Sequence, residues 1–362
     1  MAQKVLFVLP NLHGGGAERV VITLLNRLDP GVWEPVLAAG TSQGELREFI
    51  RTNICVYDLG SSRVRSALPA LLKLAWKLKP GIIFSTLTHL NLAVSLLRPL
   101  LPPSVRLIAR EGNLPSRSLQ SESRPALYRR AYRLLYCNFD VVVAQSRRMA
   151  QDMQQQNLAA ASKIRVIHNP VDTEGIRSQA HGQPRPEWPS EGARLLAVGR
   201  LTRQKGFDLL LQELAGLNRP WSLVILGEGA ERGALEQQVR ELGLGERVLL
   251  QGFEHNPYRW MAAADLFVLS SRYEGFPNVV LESLSCGTPV ASYGGDTSAD
   301  EIIRDGVDGF LAEPGHKGSL GGAIAAALDT RWDPSSLQES VRQRFGTEHI
   351  VAHYKQLFSE IK

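Results

Sequence analysis

Cysteine is scarce in this chain of 362 residues: Cys55, Cys137 and Cys286 lie far apart and form no Cys-x-x-Cys pair. That excludes a disulfide scaffold and a zinc finger, and suits a reduced, cytoplasmic compartment. Long apolar runs are missing too, with no uncharged stretch of about 18 residues to cross a bilayer. The apolar run near the N-terminus is short and leads into glycines rather than a small-residue cleavage site, so it does not read as a signal peptide. Neither a sequence repeat nor a collagen-like or disordered composition is present. With 44% apolar and 21% charged residues the chain reads as globular, and its length suggests about two domains.

Acidic residues are sparse in the first half. Residues 1–180 carry 23 Lys and Arg against 12 Asp and Glu, whereas 181–362 carry 18 against 24. The excess concentrates in 61–148, with 15 basic residues and three acidic ones. Such a split suggests that one half meets something anionic. Nucleic acid is disfavoured, because no aromatic-interleaved or helix-turn-helix pattern accompanies the charge. An anionic membrane surface fits, at about 1 kcal/mol per basic residue near the headgroups. A solvated basic face with no partner fits as well.

What is abundant is alternation. Val5–Leu9, Val36–Ala39, Gly81–Phe84, Val105–Ala109, Val141–Ala144 and Arg165–Ile167 read as buried strands, with amphipathic stretches such as Ala17–Leu28, Leu68–Leu78 and Arg124–Tyr136 between them. The Pro-rich segment 172–193 reads as a linker. The rhythm then restarts with strands at Leu195–Val198, Ser222–Leu226, Val248–Leu250, Leu266–Leu269 and Pro289–Ser292, and helices near 206–215, 230–242, 278–286 and 317–328. The predicted class is α/β: two doubly wound Rossmann-like domains with a cleft between them, binding ligand at the carboxyl ends of the strands. His349–Ile361 reads as a terminal helix with Ile350, Tyr354, Leu357 and Phe358 on one face.

Three loops could carry chemistry. Asn11–Arg19 follows the first strand and holds a glycine cluster including Gly15 and Gly16, suited either to a phosphate or simply to a tight turn. It is not a dinucleotide fingerprint, because Arg19 stands where the third glycine belongs and no acidic residue ends the second strand. Gly199–Phe207 places Arg200 and Lys205 beyond a strand end, where they suit a diphosphate or an ordinary basic loop. Tyr273–Glu282 runs through a Gly/Pro loop into a helix, with Glu274 on the loop and Glu282 two turns into the helix. Two such carboxylates suit the vicinal hydroxyls of a sugar and a ribose, with free N–H groups at the helix start to hold phosphate.

Taken together, GGGAERV in the first loop, IRVIHNPVD, VGRLTRQKGFDLLL, VILGEGAERGALE, VLLQGFEHNP, ADLFVLSSRYEGFPNVVLESLSCGTPVAS and DEIIRDGVDGFL resemble the family 4 glycosyltransferases of the GT-B fold over essentially the whole chain. That resemblance implies a retaining enzyme with a nucleotide-sugar donor, an acceptor domain at 1–171 joined by a returning helix at 346–362, and a donor domain at 172–345. It implies that Arg200 and Lys205 contact the donor diphosphate, Glu274 the donor sugar and Glu282 the ribose. Gly15 and Gly16 would face the donor, as would backbone groups of Gly275, Phe276, Pro277, Asn278 and Val279, and the loop 252–256 would meet the base. No cofactor or metal is expected, in keeping with the absence of an Asp-x-Asp loop.

The expected substrates are a UDP-sugar, carrying a hexose or N-acetylhexosamine, and a lipid-linked saccharide of bacterial surface polysaccharide or oligosaccharide synthesis. The protein would then work peripherally at the inner face of the plasma membrane. A GDP-sugar, a soluble acceptor and a non-catalytic nucleotide-sugar scaffold are the alternatives. On the acceptor side the candidates are His13, His89, Glu111 and Asn113. Glu111 would either orient the acceptor hydroxyl or pair with Arg110 or Arg117. Tyr128, Tyr132 and Tyr136 form a stripe beside Arg129, Arg130 and Arg133, suited to a membrane interface or to the core. The loop 294–303 is longer than the family pattern.

Overall fold

The computed structural model describes residues 2–13, 15–120, 124–180 and 186–361. Gly14 of the glycine loop and residues 181–185 of the expected linker lie outside them. The chain divides into two compact units, Met1–Pro170 with Thr347–Lys362, and Val171–Gly346.

In the first unit, seven strands run in chain order: β1 (Gln3–Leu9), β2 (Trp33–Ala39), β3 (Cys55–Asp58), β4 (Ile82–Thr86), β5 (Arg106–Arg110), β6 (Val141–Ala144) and β7 (Ile164–Val166). They form a sheet in the spatial order 3-2-1-4-5-6-7, parallel throughout. The second unit holds β8 (Ala193–Val198), β9 (Trp221–Leu226), β10 (Val248–Gly252), β11 (Leu266–Leu269), β12 (Val290–Tyr293) and β13 (Gly309–Ala312), parallel in the order 10-9-8-11-12-13. Parallel pairing needs a crossover at every step, which is why apolar strands alternate with helices. Each sheet reverses its winding once, between β1 and β4 and between β8 and β11, opening a crevice at the carboxyl ends where ligands bind in such sheets.

Helix Gly16–Arg27 buries Val20, Val21, Leu24 and Leu25, a stripe at helical spacing. Helix Thr347–Glu360 returns to the first unit and buries Ile350, Val351, Tyr354, Leu357 and Phe358. Phe358 meets Trp33 and Phe7 at ring separations of 5.6 and 6.4 Å, while Tyr354 stands 5.9 Å from Phe84. Each such aromatic contributes roughly 1.5–3 kcal/mol through burial, which binds the chain terminus to the first core.

Several elements differ from expectation. Strands β3 and β13 were not apparent, because each is a four-residue edge strand with partly exposed positions. The expected linker begins with a helix, Thr173–Ala180, whose Ile176 is buried in the second unit's core. Its apolar content is a single aliphatic side chain, too little to register as a helical stripe.

Candidate functional site

The second unit's site is built where β8 and β11 end side by side. Beyond β8, the chain passes Arg200 and a single turn, Arg203–Lys205, before helix Phe207–Ala215. Gly206 joins turn to helix at φ 65°, and a methyl group there would sit 2.1 Å from the Ser270 carbonyl oxygen. Only glycine supplies that backbone and that close approach. Ser270 in turn donates to the Lys205 carbonyl at 3.0 Å, tying the two strand ends together.

Lys205 and Glu274 thereby meet. Lys205 Nζ lies 2.6 Å from Glu274 Oε1, which also accepts from Ser271 Oγ at 2.7 Å, and both side chains are mostly buried. Glu274 is further anchored by its backbone N–H, which donates to Asp296 O at 2.9 Å. Asp296 belongs to the lengthened loop 294–303, which folds as two tight turns, Gly295–Thr297 and Ala299–Glu301, with Thr297, Ser298 and Ala299 buried. The departure from the family pattern is therefore a packed buttress behind Glu274. A second ion pair, Arg272 with Asp208 at 2.7 Å, braces the same loop. The Arg272 hydrogen bond holds the Asp208 carboxyl below its ordinary range.

The second unit's other candidate donor residues follow the same two strand ends. Arg200 is exposed. Gly275 and Pro277 are buried, Asn278 and Val279 half-buried at the start of helix Asn278–Ser285, and Glu282 half-buried further along it. The Phe276 ring packs 5.9 Å from Phe345 in the core, so only its backbone is available to a ligand, as expected. In the loop after β10, Phe253 is 70% exposed with its ring edge-on to His255, while Glu254 is held by Arg259 at 2.8 Å.

The first unit's site differs. His13 is exposed and Gly15 precedes helix Gly16–Arg27. A methyl group on Gly15 would fall 2.2 Å from Glu18 Oε2, so the glycine makes room for a carboxylate folded over the helix start. The space that the glycine leaves at the helix start is thus taken by the Glu18 side chain. His89 and Asn113 line a common cavity of about 330 Å³ with Thr88, Gly112, Ser118, Tyr128 and Tyr132.

Glu111 differs most from expectation. It is fully buried just beyond β5, and among the described residues its carboxyl pairs with neither Arg110 nor Arg117. Its Oε2 accepts from Thr88 Oγ1 at 2.8 Å, and its Oε1 accepts from Asn91 Nδ2 at 3.0 Å and from the Tyr136 hydroxyl. Burial raises its pKa, against the opposing effect of those hydrogen bonds. Arg110 faces away, to Thr86 and Asn169. The tyrosine stripe resolves in the same way: Tyr132 and Tyr136 are core, 4.2 Å apart, and Arg129, Arg130 and Arg133 are exposed. The sequence reading missed Thr88 and Asn91, which carry no motif and reach Glu111 only through the fold.

Comparison with known proteins places these observations. Residues 182–344 match the family description "Glycosyl transferases group 1" and residues 14–175 match "Glycosyltransferase Family 4". A Campylobacter jejuni N-acetylgalactosamine-N,N'-diacetylbacillosaminyl-diphospho-undecaprenol 4-alpha-N-acetylgalactosaminyltransferase is 28% identical over 90% of this chain and 90% of its own. The lipopolysaccharide core biosynthesis glycosyltransferase LpsE of Rhizobium meliloti is 31% identical over 61% of this chain and 65% of its own. Anabaena HepE, solved in complex with UDP-glucose, superposes with a TM-score of 0.81 over 99% of this chain and 100% of that one, at 22% identity. Two Rossmann-like units with this strand order, matched along their whole length, give the GT-B fold. The chain belongs to family 4 of these enzymes, and its activity is that of a hexosyltransferase.

Proposed function

We propose that this enzyme moves a hexose or N-acetylhexosamine from a UDP-sugar to a lipid-linked saccharide, with retention and without a metal, in the synthesis of a bacterial surface polysaccharide or oligosaccharide. The observation that carries the donor half is the buried Lys205–Glu274 pair beside exposed Arg200 at the carboxyl edge of the second sheet. Arg200, Lys205 and the N–H groups opening helix Asn278–Ser285 supply the charge that a departing diphosphate needs. Glu274 accepts hydrogen bonds from donor-sugar hydroxyls, Glu282 from the ribose, and Phe253 offers an exposed ring to the base. In the reaction the acceptor oxygen bonds to the anomeric carbon as that carbon's bond to the phosphate oxygen breaks. The acceptor proton passes to the departing phosphate, and UDP leaves. No enzyme nucleophile is required.

The acceptor half is supported by the Campylobacter relative, whose name gives a diphospho-undecaprenol-linked saccharide as its substrate and an α-linked sugar as its product. Retention from an α-linked nucleotide sugar gives such a product. Helix Pro125–Leu135 supports work at an anionic membrane surface: Leu127 and Leu134 are 58% and 62% exposed among exposed Arg124, Arg129, Arg130 and Arg133. No helix among the described residues is long and apolar enough to cross a membrane. Incubation with a panel of UDP- and GDP-sugars and an undecaprenyl-diphosphate-linked saccharide, in EDTA, tests the reading. It predicts one α-linked product from one UDP-sugar; a β-linked product, a GDP-sugar requirement or a metal requirement would refute the corresponding part.

A further inference from the structure

Below the first unit's cavity, one carboxyl group sits where nothing in the donor chemistry uses it. Thr88 is half-buried on the cavity wall, and its Oγ1 has two interior neighbours, the Tyr132 hydroxyl at 3.2 Å and Glu111 Oε2 at 2.8 Å. It opens helix Thr88–Leu96 directly after Leu87, whose φ of 74° is one that a leucine rarely adopts. Strain of this kind persists only where its surroundings over-determine it.

The threonine has a single hydroxyl hydrogen, and Glu111 decides where it goes. If Glu111 is a carboxylate, the hydrogen is spent on Oε2 and Thr88 has none for the cavity. If Glu111 is the neutral acid, it donates to Thr88, Tyr132 donates to Thr88, and the threonine hydrogen is free to reach a ligand. The partners favour the second arrangement. Oε1 already accepts from both Asn91 and Tyr136, as a carbonyl oxygen can, which leaves Oε2 to Thr88, with the Tyr132 hydroxyl acting on both the threonine and the carboxyl. Asn91 is itself fixed by Ser85, whose hydroxyl donates to its Oδ1 at 2.8 Å. Among the described residues no cation pairs with Glu111, and a lone buried carboxylate is costly.

The remaining walls suit a sugar ring. Tyr128 and Leu119 bring apolar surface of the kind the C–H face of a pyranose meets, and His89, Ser118 and Asn113 bring polar groups to the same lining. We propose that this cavity is a saccharide subsite and that Glu111, as the neutral acid, is its positioning residue, freeing the Thr88 hydroxyl to donate to a sugar oxygen. The proposal rests on the acceptor half of the function proposed above.

The test uses the full chain with methyl glycosides of glucose, galactose, N-acetylglucosamine and N-acetylgalactosamine as probes. Binding is followed by saturation-transfer NMR with UDP present, and UDP affinity is measured separately by calorimetry. Thr88→Val should weaken glycoside binding about tenfold. Glu111→Gln should stay within about twofold, because its amide donates to Thr88 as the acid does and its oxygen still accepts from Asn91 and Tyr136. Lys205→Ala, in the other unit, should leave glycoside binding alone while weakening UDP. The idea is overturned if Glu111→Gln loses as much as Thr88→Val, if Thr88→Val loses nothing, or if a wild-type chain that binds UDP binds none of the glycosides. Glycoside binding with this variant pattern but without UDP binding would support the subsite and refute the donor reading.

Discussion

The two sheets end in opposite chemistry. At the edge of β8 and β11 a cation and a carboxylate lie 2.6 Å apart with Arg200 exposed beside them. Just beyond β5 a carboxyl is sealed among Thr88, Asn91 and Tyr136, with no cation in contact among the described residues. Charge that must neutralise a diphosphate is useful only if it reaches the ligand, whereas a sugar hydroxyl is recognised by a hydrogen bond of fixed polarity. On the proposed reading each unit puts its acid where its ligand class needs it: within reach of the ligand in one, a layer behind a hydroxyl in the other.

The contrast can be broken one unit at a time. Phe358→Ala removes the aromatic that binds the terminal helix to the first core and should cost about 3–5 kcal/mol. Urea unfolding should then show an early transition for the first unit, with UDP affinity in the second retained below it; a single unshifted transition would contradict the two-unit division. Next is Lys205→Ala, expected to lower kcat by about 10²–10³, roughly 2.7–4 kcal/mol, while also leaving Glu274 without its cation. Near-wild-type turnover would remove the diphosphate role.

A smaller effect is expected at the surface. Replacing Arg129, Arg130 and Arg133 together by Gln should weaken binding to phosphatidylglycerol-containing vesicles by about 1 kcal/mol per residue, without changing UDP binding. Unchanged vesicle binding would assign those residues to a solvated face. Smallest is Arg272→Ala. Its Asp208 partner is more than a third exposed, so screening holds the loss to within about 1 kcal/mol. Because the pair lowers the Asp208 pKa, its stabilisation is present above the ordinary carboxylate value of 3.8 and fades as pH falls through the lower folded value. The variant and wild type should thus converge in acid, and a gap that widens there would reverse the assignment.

The candidate donor edge was legible in the sequence as a set of strand-end loops because its parts are local. Arg200 and Lys205 sit within one turn-forming loop, and Glu274 follows its strand by a few residues, so strand ends alone bring them together. The acceptor side was not, because Glu111 is completed by Thr88 and Asn91 about twenty residues earlier and by Tyr136 twenty-five later. One position past a strand end, a glutamate carries no periodic signal for which way it faces, and here it turned inward. For Tyr132 and Tyr136 the sequence left both readings open, since a stripe at helical spacing looks the same whether it meets lipid or the core, and burial decides for the core. Edge strands β3 and β13 escaped because half-exposed segments of four residues lack the apolar run that marked their neighbours.

The central claim, that a UDP-sugar binds at the Lys205–Glu274 edge, is tested most directly by calorimetric titration of UDP-sugars into the wild type and Lys205→Ala in EDTA. The account predicts saturable binding of a UDP-sugar by the wild type and at least a tenfold loss in the variant, about 1.4 kcal/mol. Equal affinity in the two proteins, or binding that appears only when a divalent metal is restored, would contradict it.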